Sequence, residues 1–137
     1  MEAGYFRSTE IESEIPPGWV QGILDVPGSL FGLDLPPVQE VRRLFGEPDL
    51  RIIGRLDNER SRFHGGGLTI EVDRMTFPDG SQEFEVEVET GDPGAARAWL
   101  LGEFLRLGVR HEPGRRTKFE RLLRRIGAPR SPVPDGF

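Results

Sequence analysis

Alternating charged and apolar residues predict an α+β protein, with an antiparallel sheet and two or three helices packed outside it. Two runs and the turn between them carry this reading. In Glu83-Phe-Glu-Val-Glu-Val-Glu89, strand geometry sends Glu83, Glu85, Glu87 and Glu89 to one side and Phe84, Val86 and Val88 to the other. Leu68-Thr-Ile-Glu-Val-Asp73 repeats the design, with Thr69, Glu71 and Asp73 opposite Leu68, Ile70 and Val72. Phe77-Pro-Asp-Gly-Ser81 between them is a strong turn signal, so the two runs form a hairpin.

The remaining elements follow in chain order. Residues 5–15 read as a strand, because Glu10, Glu12 and Glu14 alternate with other side chains and share a face. Residues 16–37 are rich in proline and glycine and read as a loop with short turns, pinned by Trp19, Ile23, Leu24, Leu30 and Phe31. Pro37 suits the first turn of a helix running to about Phe45, closed by Gly46. Residues 49–58 and 59–63 read as strand, interrupted in the middle, and His64-Gly-Gly-Gly67 as a turn into the 68–75 strand. Asp92 caps a helix with Pro93 at its first position, a core face of Leu100, Leu101, Phe104 and Leu105, and a stop at Gly108. A last helix over 117–126 buries Phe119, Leu122, Leu123 and Ile126 and sets Arg121, Arg124 and Arg125 on its other side. Both helices are expected on the apolar side of a sheet of about four to five strands. Residues 128–137 read as a flexible tail, leaving one domain over 1–127.

Composition narrows the chemistry. The chain has 137 residues, no cysteine and a net charge of −5. The missing cysteines exclude disulfides, zinc–thiolate sites and thiol catalysis, and they fit a cytoplasmic protein. No apolar run is long enough for a membrane span, so no membrane partner is expected. Lys118 is the only lysine, and nine of the eighteen basic residues lie between Arg106 and Arg130. That basic segment has few aromatic side chains for base stacking, which argues against nucleic acid. His64 and His111 stand in Gly-rich or polar contexts and read as solvated loop residues. There is no phosphate-binding glycine loop with Lys-Ser/Thr, no HExxH and no GxSxG.

An acidic face on several strands has two readings: a solvated sheet surface, or carboxylates that gather hard cations. Arg60 and Arg62, on one face of their strand, are either surface arginines or a grip for phosphate oxygens.

In order and spacing, Leu68-Thr-Ile-Glu-Val-Asp73, Phe77-Pro-Asp-Gly80, Phe84-Glu-Val-Glu-Val-Glu89, Asp92 and Thr117-Lys-Phe-Glu-Arg121 resemble the CYTH superfamily. That superfamily comprises the triphosphate tunnel metalloenzymes, with class IV adenylate cyclases and thiamine triphosphatases among them. Asn58-Glu-Arg60 resembles its Asn-x-Arg strand, and Glu10, Glu12 and Glu14 more loosely resemble an acidic strand before it. The likeness covers roughly residues 5–126 and is specific in the hairpin.

The resemblance implies a closed antiparallel tunnel lined with charge, binding a triphosphate-containing small molecule or inorganic polyphosphate with Mg²⁺ or Mn²⁺. It implies metal ligation by Glu85 and Glu87 with Glu71 and Asp73 nearby, substrate binding by Arg60, Arg62 and Lys118, and catalytic roles for Glu87 and Lys118. The implied activity is metal-dependent phosphohydrolysis or ATP cyclisation, and the alternative is a non-catalytic module that binds polyphosphate, nucleotide or metal. The family's Glu-x-Glu-x-Lys strand and the basic strands after it are not found here, and Thr117 stands where serine is common. The expectation is therefore a partial barrel without its N-terminal half, completed by a homodimer or by a complementary chain.

Overall fold

In a computed structural model, residues 7–127 are described. They fall into two compact units, Arg7–Ile53 and the described residues from Gly54 onward. The expected tail over 128–137 lies outside the described residues.

The first unit is helical. Helix α1 spans Pro17–Asp25, a 3-10 helix spans Pro27–Gly32, and α2 spans Pro36–Phe45. The segment expected to be a loop is thus mostly helical. Each of the three helices opens on proline, whose fixed φ is already helical and whose missing N–H has no partner to lose in a first turn. Gln21 donates to Asp25 at 2.9 Å, one turn along α1. Helix α2 ends where Gly46 adopts a φ of 70° and donates its N–H to Arg42 O at 2.8 Å. The expected strand over 5–15 is absent from its described part: Glu10, Glu12 and Glu14 are exposed and have no regular structure. Alternation forms a strand only beside a partner, and Pro16-Pro17 ends the run with two residues that cannot donate to a ladder.

The second unit is a three-stranded open antiparallel sheet in the order β1-β2-β3, with β1 at Asp57–Gly65, β2 at Leu68–Thr76 and β3 at Gln82–Val88. Helix α3 spans Pro93–Leu107 and α4 spans Lys118–Arg125. The predicted hairpin of acidic strands is present, but the sheet has three strands among the described residues rather than four or five. Residues 49–56 are not strand because β2 ends at Thr76, opposite Asp57, and offers them nothing to pair with. His64 lies within β1 rather than in a loop, and it is exposed.

Both hairpin turns are explained by their residues. Gly66 and Gly67 join β1 to β2 with φ of 58° and 74°, which suits a two-residue turn between twisted strands. A Cβ on Gly66 would also meet Trp99 Nε1 at 2.4 Å, so glycine is required there twice over. Between β2 and β3, Gly80 donates to Phe77 O and Phe77 to Ser81 O, both at 2.9 Å, while Asp79 Oδ1 accepts from Ser81 N at 2.9 Å.

Asp92 caps α3 as expected, its Oδ1 accepting from Ala95 N at 3.0 Å, and Gly108 ends the helix in the left-handed region. The buried side of α3 differs from the expected one. Ala96 is buried, whereas Leu101 and Leu105 are exposed. The helix settles through Trp99, which lies over Gly65 and Gly66. Helix α4 departs further. It covers the charged face of the sheet rather than the apolar one, as its ion pairs show. Its Leu122 packs with Met75 and Phe77, joined by Leu56 and Ile126, while Phe119 is exposed. None of the described helices is long and apolar enough to cross a membrane.

Candidate functional site

Strand register builds the site. Residues directly opposite one another share a face, so the charged face of the sheet is a lattice of three rows. Arg62, Glu71 and Glu87 form one row, Arg60, Asp73 and Glu85 the next, and Asn58, Met75 and Glu83 the last. The other face carries Phe63, Ile70, Val72, Val86 and Val88, with Glu59, Arg74 and Phe84 toward one end. The alternation in the sequence is therefore faithful in β2 and β3. Glu89 lies beyond the end of β3 and is exposed.

Asp73 is the centre of the lattice and is fully buried. Arg60 grips it with both arms, Nε to Oδ1 and Nη2 to Oδ2, each at 2.7 Å. The same guanidinium reaches Glu87 Oε2 at 2.8 Å and pairs with Glu71. Arg62 Nε donates to Glu71 Oε1 at 2.8 Å from a more exposed position. A planar five-donor group suits this place, because one side chain can serve three carboxylates in fixed directions.

Helix α4 supplies the remaining cations. Thr117 Oγ1 accepts from Glu120 N at 3.2 Å while Glu120 Oε2 accepts from Thr117 N at 2.8 Å, a capping box that fixes the first turn. Lys118, the first helical residue, then points Nζ into the lattice, 2.7 Å from Asp73 Oδ2, 2.7 Å from Glu87 Oε1 and 3.0 Å from Glu85 Oε2. Arg121 reaches Glu85 Oε1 at 2.8 Å and Glu83 Oε2 at 3.1 Å. Arg125 pairs with Glu83, donates to Ser81 Oγ at 3.1 Å and sets its guanidinium 3.7 Å from the centre of the Phe77 ring. Five carboxylates (Glu71, Asp73, Glu83, Glu85, Glu87) thus meet five cations (Arg60, Arg62, Lys118, Arg121, Arg125).

These partners shift the ionisation of the site. The two bonds from Arg60 hold the Asp73 carboxyl well below the usual carboxylate range, against the opposing effect of burial and with help from Lys118 and Asn58. Burial works to lower the Lys118 ammonium, but bonds to Asp73 and Glu87 and the charge of the nearby Glu85 carboxylate outweigh it and raise the group. Glu83 is likewise held low by Arg125 and Arg121 despite its burial.

Of the residues expected to carry function, Asp73, Glu85 and Glu87 converge with ligand oxygens within 4.8 Å of one another, an arrangement that can hold a metal ion. Lys118 and Arg60 border that set. Glu71 stands one row from Asp73, engaged by Arg60 and Arg62. Glu85 Oε2 is buried without a hydrogen-bond partner, because Lys118 lies near it but is not aligned to donate. A hard cation would satisfy such an oxygen, so the donor set fits one. Arg121 and Arg125 were expected to face away from the packed side, yet both meet the sheet. Their signal was in the sequence: Lys118, Arg121 and Arg125 at i, i+3 and i+7 form a cationic stripe that matches the Glu83, Glu85, Glu87 row.

No protein-family model matches this chain, and no curated protein matches it.

Proposed function

We propose that this chain is a CYTH-like, divalent-metal-dependent binder of triphosphates or inorganic polyphosphate, of phosphohydrolase or adenylate cyclase type. The observation that carries the reading is the lattice itself. Asp73, Glu85 and Glu87 converge from two strands, and Arg60 and Lys118 stand directly beside them. One ligand class needs both groups at once, namely a polyanion carrying Mg²⁺ or Mn²⁺.

In this reading Arg60, Arg62 and Lys118 hold phosphate oxygens while Asp73, Glu85 and Glu87, with Glu71 adjacent, face the metal. The metal, when bound, supplies neutralisation of phosphate charge. Glu87 is the most exposed of the converging carboxylates. In this reading it takes the proton of a water that attacks the terminal phosphorus, as the bond from that phosphorus to its bridging oxygen breaks. Lys118 steadies the charge that develops on the departing phosphate. With the ribose 3′-hydroxyl attacking the α-phosphorus in place of water at the terminal one, the α–β bridging bond would break instead, cyclising ATP and releasing pyrophosphate.

The second reading is a non-catalytic module binding the same ligands. It is favoured by the pairing of every cation in the lattice with a carboxylate of the chain. The open edges of β1 and β3 suit completion of the sheet by a second copy or by another chain.

The test is calorimetric titration with tripolyphosphate in Mn²⁺, beside a phosphate-release assay. Binding weakened by Arg60→Gln supports the reading, turnover abolished by Glu87→Gln selects the enzyme, and absence of binding refutes both.

A further inference from the structure

The ammonium of Lys118 stands where a metal held by Asp73, Glu85 and Glu87 would have to be. It lies 2.7 to 3.0 Å from one oxygen of each of these residues. It balances their charge but leaves Glu85 Oε2 without a hydrogen bond. Arg60 is in the same position on the other flank, committed to Asp73 and Glu87. The groups that would grip phosphate are therefore the groups that now neutralise the metal-binding carboxylates.

We infer that a divalent cation and a polyphosphate enter this site only as a pair, by exchange with the chain's own ion pairs, and that Lys118 couples them by moving from carboxylate to phosphate. The inference rests on the function proposed above and adds its thermodynamic rule. A divalent cation arriving alone must evict Lys118 and leave a largely buried ammonium beside a dication. A polyphosphate arriving alone must draw off Lys118 and Arg60 and leave converging carboxylates to repel one another. When both arrive, the metal takes the carboxylates and the phosphates take the cations, so each ligand removes the obstacle to the other. Such coupling is reciprocal by linkage. Lys118 is suited to the transfer. It is the first residue of α4, and the residues before it, 109–117, contain no helix or strand.

Three titrations of the full chain test this: Mn²⁺ alone, tripolyphosphate in excess EDTA, and the preformed Mn²⁺–tripolyphosphate complex. The complex is expected to bind about tenfold tighter or more than either component. In Lys118→Met the two affinities should move in opposite directions, with Mn²⁺ alone binding about tenfold tighter than to the wild type and the complex binding more weakly. A merely structural role for Lys118 would weaken both. Circular dichroism checks the fold of the variant, and Lys118→Gln replaces it if the methionine disturbs α4. No gain in Mn²⁺ affinity on removing the ammonium overturns the coupling and leaves the proposed function standing, whereas equal binding of tripolyphosphate with and without metal overturns the coupling and the metal dependence of the proposed function together. Failure of the wild type to bind the complex overturns both.

Discussion

Lys118 Nζ lies 2.7 Å from Asp73 Oδ2, and this ion pair ties α4 to the middle strand of the sheet. Arg60 holds the same carboxylate from the neighbouring strand. A buried anion with two cationic partners is strongly placed, and its partners are committed in turn.

The first prediction concerns Asp73. Replacing it with asparagine removes the only fully buried charge among the described residues and leaves two cations sharing the remaining carboxylates. Asp73→Asn should lower unfolding stability by about 3 kcal/mol, the scale for breaking a buried pair. Arg62→Gln, which removes a mostly exposed partner of Glu71, should cost about 0.5 kcal/mol. Urea denaturation of the two variants separates these outcomes, and equal effects would mean that Asp73 is not the anchor.

Stability should also depend on pH at both ends. Asp73 and Glu83 are held below their ordinary values of 3.8 and 4.5, so the folded state binds protons less readily than the unfolded chain. Their contribution is complete above those ordinary values and is lost as the pH falls through the lowered ones. Lys118 is raised above 10.5, so its contribution is complete below that value and is lost as the pH rises through the raised one. Denaturation midpoints should be flat between about pH 6 and 9 and fall in acid and in strong base. In Asp73→Asn the acid limb should become shallower.

The β1–β2 turn gives a paired test. Gly66→Ala must place a Cβ against Trp99 at a positive φ, whereas Gly67→Ala meets a positive φ and open space. The second change should cost about 1 kcal/mol from backbone strain alone. The first should cost distinctly more and shift the fluorescence of Trp99. Matching losses and unchanged emission would show that the indole does not close over the turn.

Catalytic turnover by this chain should be slow or absent. Among the described residues, the cations on the charged face are the five already paired with carboxylates. Phosphoryl transfer depends on positioned charge, and a site with few cations to spare for the phosphates forfeits several powers of ten in rate. A phosphate-release assay with tripolyphosphate and Mg²⁺ or Mn²⁺ checks this. Vigorous turnover lost in Glu87→Gln would show a complete catalytic site.

Legible in the chain alone were the hairpin of acidic strands, which residues of β2 and β3 share a face, the turn at Phe77-Pro-Asp-Gly, and the helix ends at Asp92 and Gly108. These are local properties: alternation with period two, a glycine at positive φ, a side-chain oxygen placed to meet a backbone N–H. Proline misled in 16–37, where it opens helices rather than breaking them, and alternation misled in 10–15, which has no partner strand among the described residues. Tertiary structure decided the rest. An amphipathic helix was expected to lay its apolar side on an apolar sheet face. Helix α4 instead lays Lys118, Arg121 and Arg125 across a row of glutamates and buries Leu122 against Met75 at the end of the lattice. The physical reason is that five carboxylates on one sheet face cannot be brought together without counter-charge, and the nearest supply is the helix that follows. Which helix face meets which sheet face depends on charges far apart in the chain, and no local pattern contains that information.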